Sequence, residues 1–397
     1  MDDFESVSRG RGRRALGLIA IGLALALVGG IVYLRPFAKA PAQTPAPTPA
    51  GHFNLPADMQ WVSADEGWVV FNDGSNHSTL FHTRDAGRHW QRSLSVTDGH
   101  AAGFRFFDPG QGVLPIYGEA GGVRVLKTDD GGRSWQHVYL PNLMSGYVNV
   151  EFSDAQHAWL TQWSTQASTA GVPTLDLYRT ADGGQHWQAF PNGALNGLPG
   201  PPSVPLVFAS ALDGWVQVGS RLYASHDGGD SWRPESLELP AAAPGASLYL
   251  AQAVVSPGGW AALTLYGPTP SGQVPPGVDI WVTASSDAGR TWQPPVHTPE
   301  KQSLDAGPDW YPPRFSDPRN GWLVVGAAIY TTVDSGGTWS RKAMPAGAPC
   351  QDVSSVSAST AWCAGRAASG AYPKASQVRL FRTVDGARHW TAVDPPI

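Results

Sequence analysis

Beyond residue 51 the hydrophobic positions of this chain fall in short runs separated by Gly, Pro and Asp clusters, with no long stripe of helical period. Runs of that length bounded by turn residues predict strands. Residues 103–140 show the unit in full: GFRFF, GVLPIYG, VRVLKT and SWQHVYL, four candidate strands A to D with a turn after each.

The unit recurs. A phrase of Ser or Thr, any residue, Asp, two small residues, two variable ones and Trp is found seven times. It reads TRDAGRHW (83–90), TDDGGRSW (128–135), TADGGQHW (180–187), SHDGGDSW (225–232), SSDAGRTW (285–292), TVDSGGTW (332–339) and TVDGARHW (383–390). The Asp residues are Asp85, Asp130, Asp182, Asp227, Asp287, Asp334 and Asp385, spaced by 45, 52, 45, 60, 47 and 51 residues. A fixed turn at a period near fifty marks a repeat architecture. The Asp carboxylate can accept backbone N–H groups further along, as in an Asx turn. The closing Trp (Trp90, Trp135, Trp187, Trp232, Trp292, Trp339, Trp390) heads strand D with a large ring to bury.

A second signal runs in phase. EGW (66–68), QGV (111–113), HAW (157–159), DGW (213–215), GGW (258–260), NGW (320–322) and TAW (360–362) each open a strand B. Seven residues before the last letter of each stand Trp61, Phe106, Phe152, Phe208, Ala253, Phe315 and Ser355, five of them aromatic, on strand A. Seven units of four antiparallel strands make an all-β, seven-bladed β-propeller. Each blade is then contiguous chain, and 52–58 is the candidate for an additional closing strand. Of the 17 Trp, only Trp163, Trp281 and Trp310 fall outside the repeat.

In these phrases the chain resembles the BNR or Asp-box repeat families, over roughly residues 58–394. It is most similar to the photosystem II assembly and stability factor-like proteins, which pair a GW strand with TxDGGxxW in a single seven-bladed ring. Sortilin-type and sialidase propellers are more distant. The resemblance implies help in assembling or stabilising a membrane complex through a protein or peptide partner. In the seventh phrase Gly386 comes early and Ala387 occupies the usual Gly place, which predicts a distorted corner.

The N-terminus has a different pattern. Residues 15–34 are 20 uncharged, mainly apolar residues, the length of one bilayer crossing. Arg9, Arg11, Arg13 and Arg14 precede them, and only Arg35 and Lys39 follow closely. The expectation is a basic cytoplasmic tail (1–14), a transmembrane signal anchor (15–34), a Pro/Ala-rich linker (35–51) and an extracytoplasmic propeller (52–397). Ala38-Lys39-Ala40 offers a cleavage site as the alternative, but Pro41 follows it and the apolar stretch is long for a signal peptide. An extended linker would span about 50 Å or less.

Charge and composition exclude more than they assign. The chain carries −5 overall and is more acidic still beyond residue 51, giving no footprint for nucleic acid. No cofactor motif is found. The seven Asp belong to self-sufficient turns, and His89, His186 and His389 sit a blade apart, so neither set makes a catalytic or metal constellation. No Arg-Ile-Pro phrase of the sialidases occurs, and the xyloglucan glycosidases use two propellers. The chain reads as a non-enzyme; a carbohydrate-binding or glycosidase-like propeller is the alternative. Cys350 and Cys363, on strands A and B of the last unit, are either a disulfide across that hairpin or two small buried residues.

Candidate binding residues follow from loop lengths. A–B and C–D turns share one face of a propeller; B–C and D–A connections share the other. The long connections at 163–174, 267–278, 366–377, 191–203, 236–247 and 294–312 all belong to the second face. Function concentrates in such loops. Trp163, Trp310 and Tyr311 there suit a recognition surface, with packing over strand A as the other reading for the last two. Arg105, Arg314 and Glu151 precede strand-A aromatics, which points them toward the central channel or its mouth, as partners of an anion or of one another.

Overall fold

The computed structural model describes residues 56–72, 76–101, 103–118, 122–141, 146–164, 174–189, 206–218, 221–235, 237, 247–256, 260–269, 279–298, 313–325, 328–346, 349–366 and 378–396. The expected tail, membrane span and linker lie outside these residues. Among the described residues no helix is long and apolar enough to cross a membrane.

Seven antiparallel sheets form, each from contiguous chain in the order A-B-C-D. In blade one these are Pro56–Trp61, Gly67–Asn72, Ser78–Thr83 and Gln91–Val96. The A strands of blades three to seven are Gly146–Phe152, Val207–Phe208, Ser247–Ser256, Arg314–Phe315 and Cys350–Ser355. Blade two departs from the expected GFRFF strand. Its A strand is two pieces, His100–Ala101 and Arg105–Phe106, both paired to Gly112–Tyr117. Between them Gly103 takes φ 94°, and the Phe104 N–H donates to Asp58 Oδ2 of blade one at 3.2 Å. A contact with the neighbouring blade breaks the strand.

The Asp phrase folds the same way in every copy. The Ser or Thr hydroxyl donates to the Asp carboxylate (Thr128 to Asp130, 2.9 Å) and accepts the backbone N–H four residues on (Gly132, 2.8 Å). The carboxylate accepts the N–H four residues beyond itself (Ser134, 2.9 Å). The opening hydroxyl is thus as much a part of the corner as the Asp. Both small residues have positive φ, the first between 59° and 74°. The second lies between 84° and 99° in six copies, where glycine alone is unstrained. The seventh corner is not distorted. Ala387 settles at φ 64° and keeps both bonds, to Thr383 Oγ1 at 3.1 Å and from His389 N to Asp385 at 3.0 Å. The residue after the Asp also donates to the A–B turn of its own blade (Gly131 to Gly110, 2.8 Å; Gly386 to Ser359, 3.0 Å), so the two turns share a face.

Blades are glued by rings. The strand-A aromatic lies flat on the Gly of the GW phrase: a Cβ on Gly67, Gly112 or Gly214 would come within 2.6 Å of the Trp61, Phe106 or Phe208 ring. The Trp of that phrase then stacks on the strand-A aromatic of the next blade. Trp68 meets Phe106 at 3.6 Å, Trp159 meets Phe208 at 3.8 Å and Trp362 meets Trp61 at 4.6 Å between centroids. These buried stacks form the inter-blade core.

The last stack closes the ring. Among the described residues, blade seven meets blade one through side-chain contacts and no strand is exchanged between them. Beside the Trp362–Trp61 stack, the Trp61 N–H donates to Ser354 Oγ (2.9 Å), Trp362 Nε1 to Ala86 O (3.3 Å) and Trp90 Nε1 to Asp394 O (2.9 Å). Of the segment 52–58, residues 56–58 belong to blade one's own strand A, and 52–55 lie outside the described residues. Cys350 and Cys363 are joined by a disulfide with Cα atoms 5.6 Å apart, in the core shared with Trp322 of blade six.

Candidate functional site

The A strands of blades one, two, three, six and seven, with Ala209 of blade four, line a cavity of about 580 Å³. Apolar and aromatic residues contribute to its wall, but the surface it presents is more polar than apolar, with four charged side chains: Asp58, Arg105, Glu151 and Arg314. Gln60 and Ser354 also face it.

The placement follows from strand alternation. Where an A strand carries the aromatic it turns outward into the inter-blade core, so the residue before it turns inward. An innermost strand also has an unpaired edge, whose N–H and C=O groups need partners. The inward side chain of the preceding blade supplies them. Ser354 Oγ accepts the Trp61 N–H. Gln60 bonds both groups of Phe106, its Oε1 accepting the N–H and its Nε2 donating to the carbonyl, each at 2.8 Å. Arg105 donates to the Phe152 carbonyl at 3.0 Å, and the Glu151 carboxylate accepts the Phe208 N–H. Four links in one sense therefore join blades seven, one, two, three and four. Blade four has Val207 at this position and cannot continue the series.

The charged groups line the cavity and are only partly covered by protein, the Arg314 and Asp58 side chains being 37% and 18% exposed. Burial raises the Glu151 carboxyl to about 7, against the pull of Arg105 and the Phe208 N–H. Burial also raises Asp58, opposed by Arg314 (3.9 Å) and by the N–H groups of Phe104 and Met59. The Arg105 guanidinium is lowered by burial and by Arg314, while Glu151 and Asp154 hold it up. It also lies over the Phe107 ring at 5.5 Å. The four charges alternate in pairs, and each carboxylate is engaged by backbone N–H groups as well as by an arginine. Such carboxylates hold the wall together.

Of the binding residues expected from sequence, Arg105 and Arg314 line this cavity, as does Glu151. Trp163 is not in a loop: it lies on strand B of blade three, paired in register with Tyr147 and Leu175. Trp310 and Tyr311 lie outside the described residues, as do most of the long connections. Asp58, Gln60 and Ser354 were missed, although Gln60 and Ser354 carry the signal that found Arg105, one place before Trp61 and Ser355. The seven Asp are turn residues. His89, His186 and His389 each face the Asp of their own turn at 2.5–2.6 Å. Among the described residues no cluster of His, Cys, Asp or Glu could hold a metal ion.

Comparison with known proteins places the chain. The family described as photosynthesis system II assembly factor YCF48 matches residues 50–200. No curated protein matches. A solved structure of YCF48 bound to D1 peptide is 21% identical, covering 89% of this chain and 98% of that one, with a TM-score of 0.49. YCF48 from Cyanidioschyzon merolae is 16% identical, covering 89% and 100%, with a TM-score of 0.49. Pyrococcus horikoshii acylaminoacyl peptidase is 12% identical over 86% of this chain and 53% of that one, with a TM-score of 0.52, a likeness of fold alone. The chain is a BNR-type seven-bladed propeller that resembles the photosystem II assembly factor family, with the family match on its first blades.

Proposed function

We propose that this protein is a membrane-anchored, extracytoplasmic propeller that binds a protein or peptide partner and assists the assembly or stability of a membrane complex, without catalysing a reaction. The observation that carries this reading is the assembly-factor match over residues 50–200, which takes in Asp58, Arg105 and Glu151 of the cavity wall. The apolar stretch at 15–34, behind four arginines, supports the anchor and its orientation. A propeller held near a bilayer by a Pro-rich linker is suited to meeting membrane proteins.

A glycosidase-like reading has one observation in its favour, two carboxylates in one aromatic-lined cavity. Glycoside hydrolysis needs one carboxyl free as acid and another as nucleophile or base. Asp58 and Glu151 are instead engaged by backbone N–H groups and arginines, which supports binding over catalysis.

The test is a crosslinking pull-down from membranes with the full chain, beside a variant carrying Arg314→Gln together with Trp310→Ala and Tyr311→Ala. Capture of a defined membrane protein by the intact chain, reduced at least tenfold in the variant, is expected. Recovery of no protein, alongside retention on a glycan array, would overturn the reading in favour of sugars.

A further inference from the structure

The GW tryptophans of blades one, three and seven each stack on an aromatic of the next strand A, but for Trp322 of blade six that position is Ser355. Trp322 is nonetheless fully buried, and its indole N–H donates to Ser357 O of blade seven at 3.0 Å. Its core is completed by the disulfide of Cys350 and Cys363, with Val353 and Phe381. The bond joins two unequal positions. Cys363 lies inside strand B and is fully buried. Cys350 begins strand A: Pro349 before it is exposed, and the bulge at Gln351 separates its pairing with Gly365 from the rest of the register. The same strand closes the ring. Val353 is the register partner of Cys363, the next residue is Ser354, which accepts the Trp61 N–H, and Val353 to Val356 line the cavity.

We propose that this disulfide is a redox latch on the closing blade: its reduction by a dithiol releases the Ser354–Trp61 link between blades seven and one and loosens the cavity wall there. Two electrons and two protons pass from the dithiol, the S–S bond breaks, two thiols form, and the dithiol closes to its own disulfide. Fraying of the short strand end beyond the bulge gives the reductant its access to Cys350. Unbonded sulfurs must then separate to contact distance, for which a close-packed core has no room. Cys363 shares its core with Trp322 and Phe381, so the displacement falls on Cys350 at the strand end and on Val353 opposite Cys363. Ser354 is one residue further on. The inference is independent of the identity of any partner.

The experiment compares the full-length protein in detergent, oxidised and after dithiothreitol, with no denaturant. Iodoacetamide labelling counts thiols, and the count reports this bond because the chain has two cysteines. Circular dichroism follows the fold, and amide hydrogen exchange is read by mass spectrometry on peptides spanning 59–62 and 350–356. Two thiols should be labelled with the far-ultraviolet spectrum unchanged. Exchange at Trp61 and at Val353–Ser355 should quicken by about tenfold or more. Reoxidation should restore both. Cys363→Ala removes the bond and the crowding together, so the Trp61 amide should stay protected in that variant.

Thiols that appear only where denaturant unfolds the ring would overturn the proposal, as would an unchanged Trp61 amide in the reduced protein. Equal exposure of that amide in Cys363→Ala would do the same, since it would show a brace rather than a latch. If Cys363→Ala fails to fold, Cys350→Ala replaces it with the same expectation.

Discussion

Two arcs of this ring are built from one repeat and held together differently. From blade seven through one, two and three to four, every junction has a polar link from the inward side chain of one strand A to the backbone of the next. Three of these four junctions also carry a stacked ring pair. A third layer lies near the Asp turns: Lys127 reaches Ala155 O at 3.0 Å, Arg179 reaches Asp230 at 3.1 Å and Arg382 reaches Ala64 O at 3.1 Å. From blade four to seven the same positions are less regular: Val207 stands in place of a polar residue in blade four, whereas blades five and six keep Gln252 and Arg314. Ala224 and Ala284 stand in place of Lys or Arg, and Ala253 and Ser355 in place of an aromatic. Trp215 turns instead to Trp292, edge-on at 5.8 Å, and the disulfide of blade seven fills the core beside Trp322. The Asp turn secures each blade within itself. Cohesion between blades is a separate property that the repeat does not guarantee.

The comparison is broken most forcefully at a stacked junction. Phe208→Ala removes a fully buried ring from between Trp159 and Gly214 and should cost about 3–5 kcal/mol. Phe315→Ala, at a half-buried ring of the other arc, should cost visibly less by urea unfolding. Equal losses would show the arcs to be alike. Next in size is the disulfide. Cys363→Ala opens a loop of sequence separation 13 and should lower stability by about 3 kcal/mol, with faster amide exchange localised to blades six and seven.

Gln60→Ala deprives both Phe106 backbone groups of their partner and should cost about 1–3 kcal/mol. Its signature is faster hydrogen exchange at Arg105–Phe106 with the interior of blade four unaffected. Smallest is the loss of one turn. Asp130→Ala removes the acceptor of the Ser134 N–H and hydroxyl and should cost about 1–2 kcal/mol. The turn carboxylates are held below their ordinary range by these bonds, down to about 2 at Asp85 and Asp287. A lowered carboxyl contributes stability above its unfolded value of 3.8 and loses it as pH falls through the folded one. Acid unfolding should therefore steepen between about 4 and 2, less so in Asp130→Ala, as followed by circular dichroism.

The repeat was legible because each Asp turn is settled within eight residues. Thr128, Asp130 and Ser134 satisfy one another wherever the blade sits, so seven turns, seven GW strands and the contiguous A-to-D order could be read directly. Arg105, Glu151 and Arg314 were found for a related reason, since alternation from a buried aromatic needs only the local strand. Trp163 was misplaced because strand B of blade three runs to Ser164, a length set by its pairing with Gly146–Phe152 rather than by a sequence boundary. Blade two's broken strand was invisible because Asp58, 46 residues away, supplies the bond that bends it.

Local chemistry thus determined the blade, its turns and the number of blades, because each rests on contacts short in sequence. Tertiary structure alone decided how the ring closes, which inward side chains become links, and why Glu151 differs from the other carboxylates. Those properties depend on a neighbour's backbone and on burial in a cavity that exists only when the A strands converge, and 293 residues separate Ser354 from the Trp61 N–H it accepts.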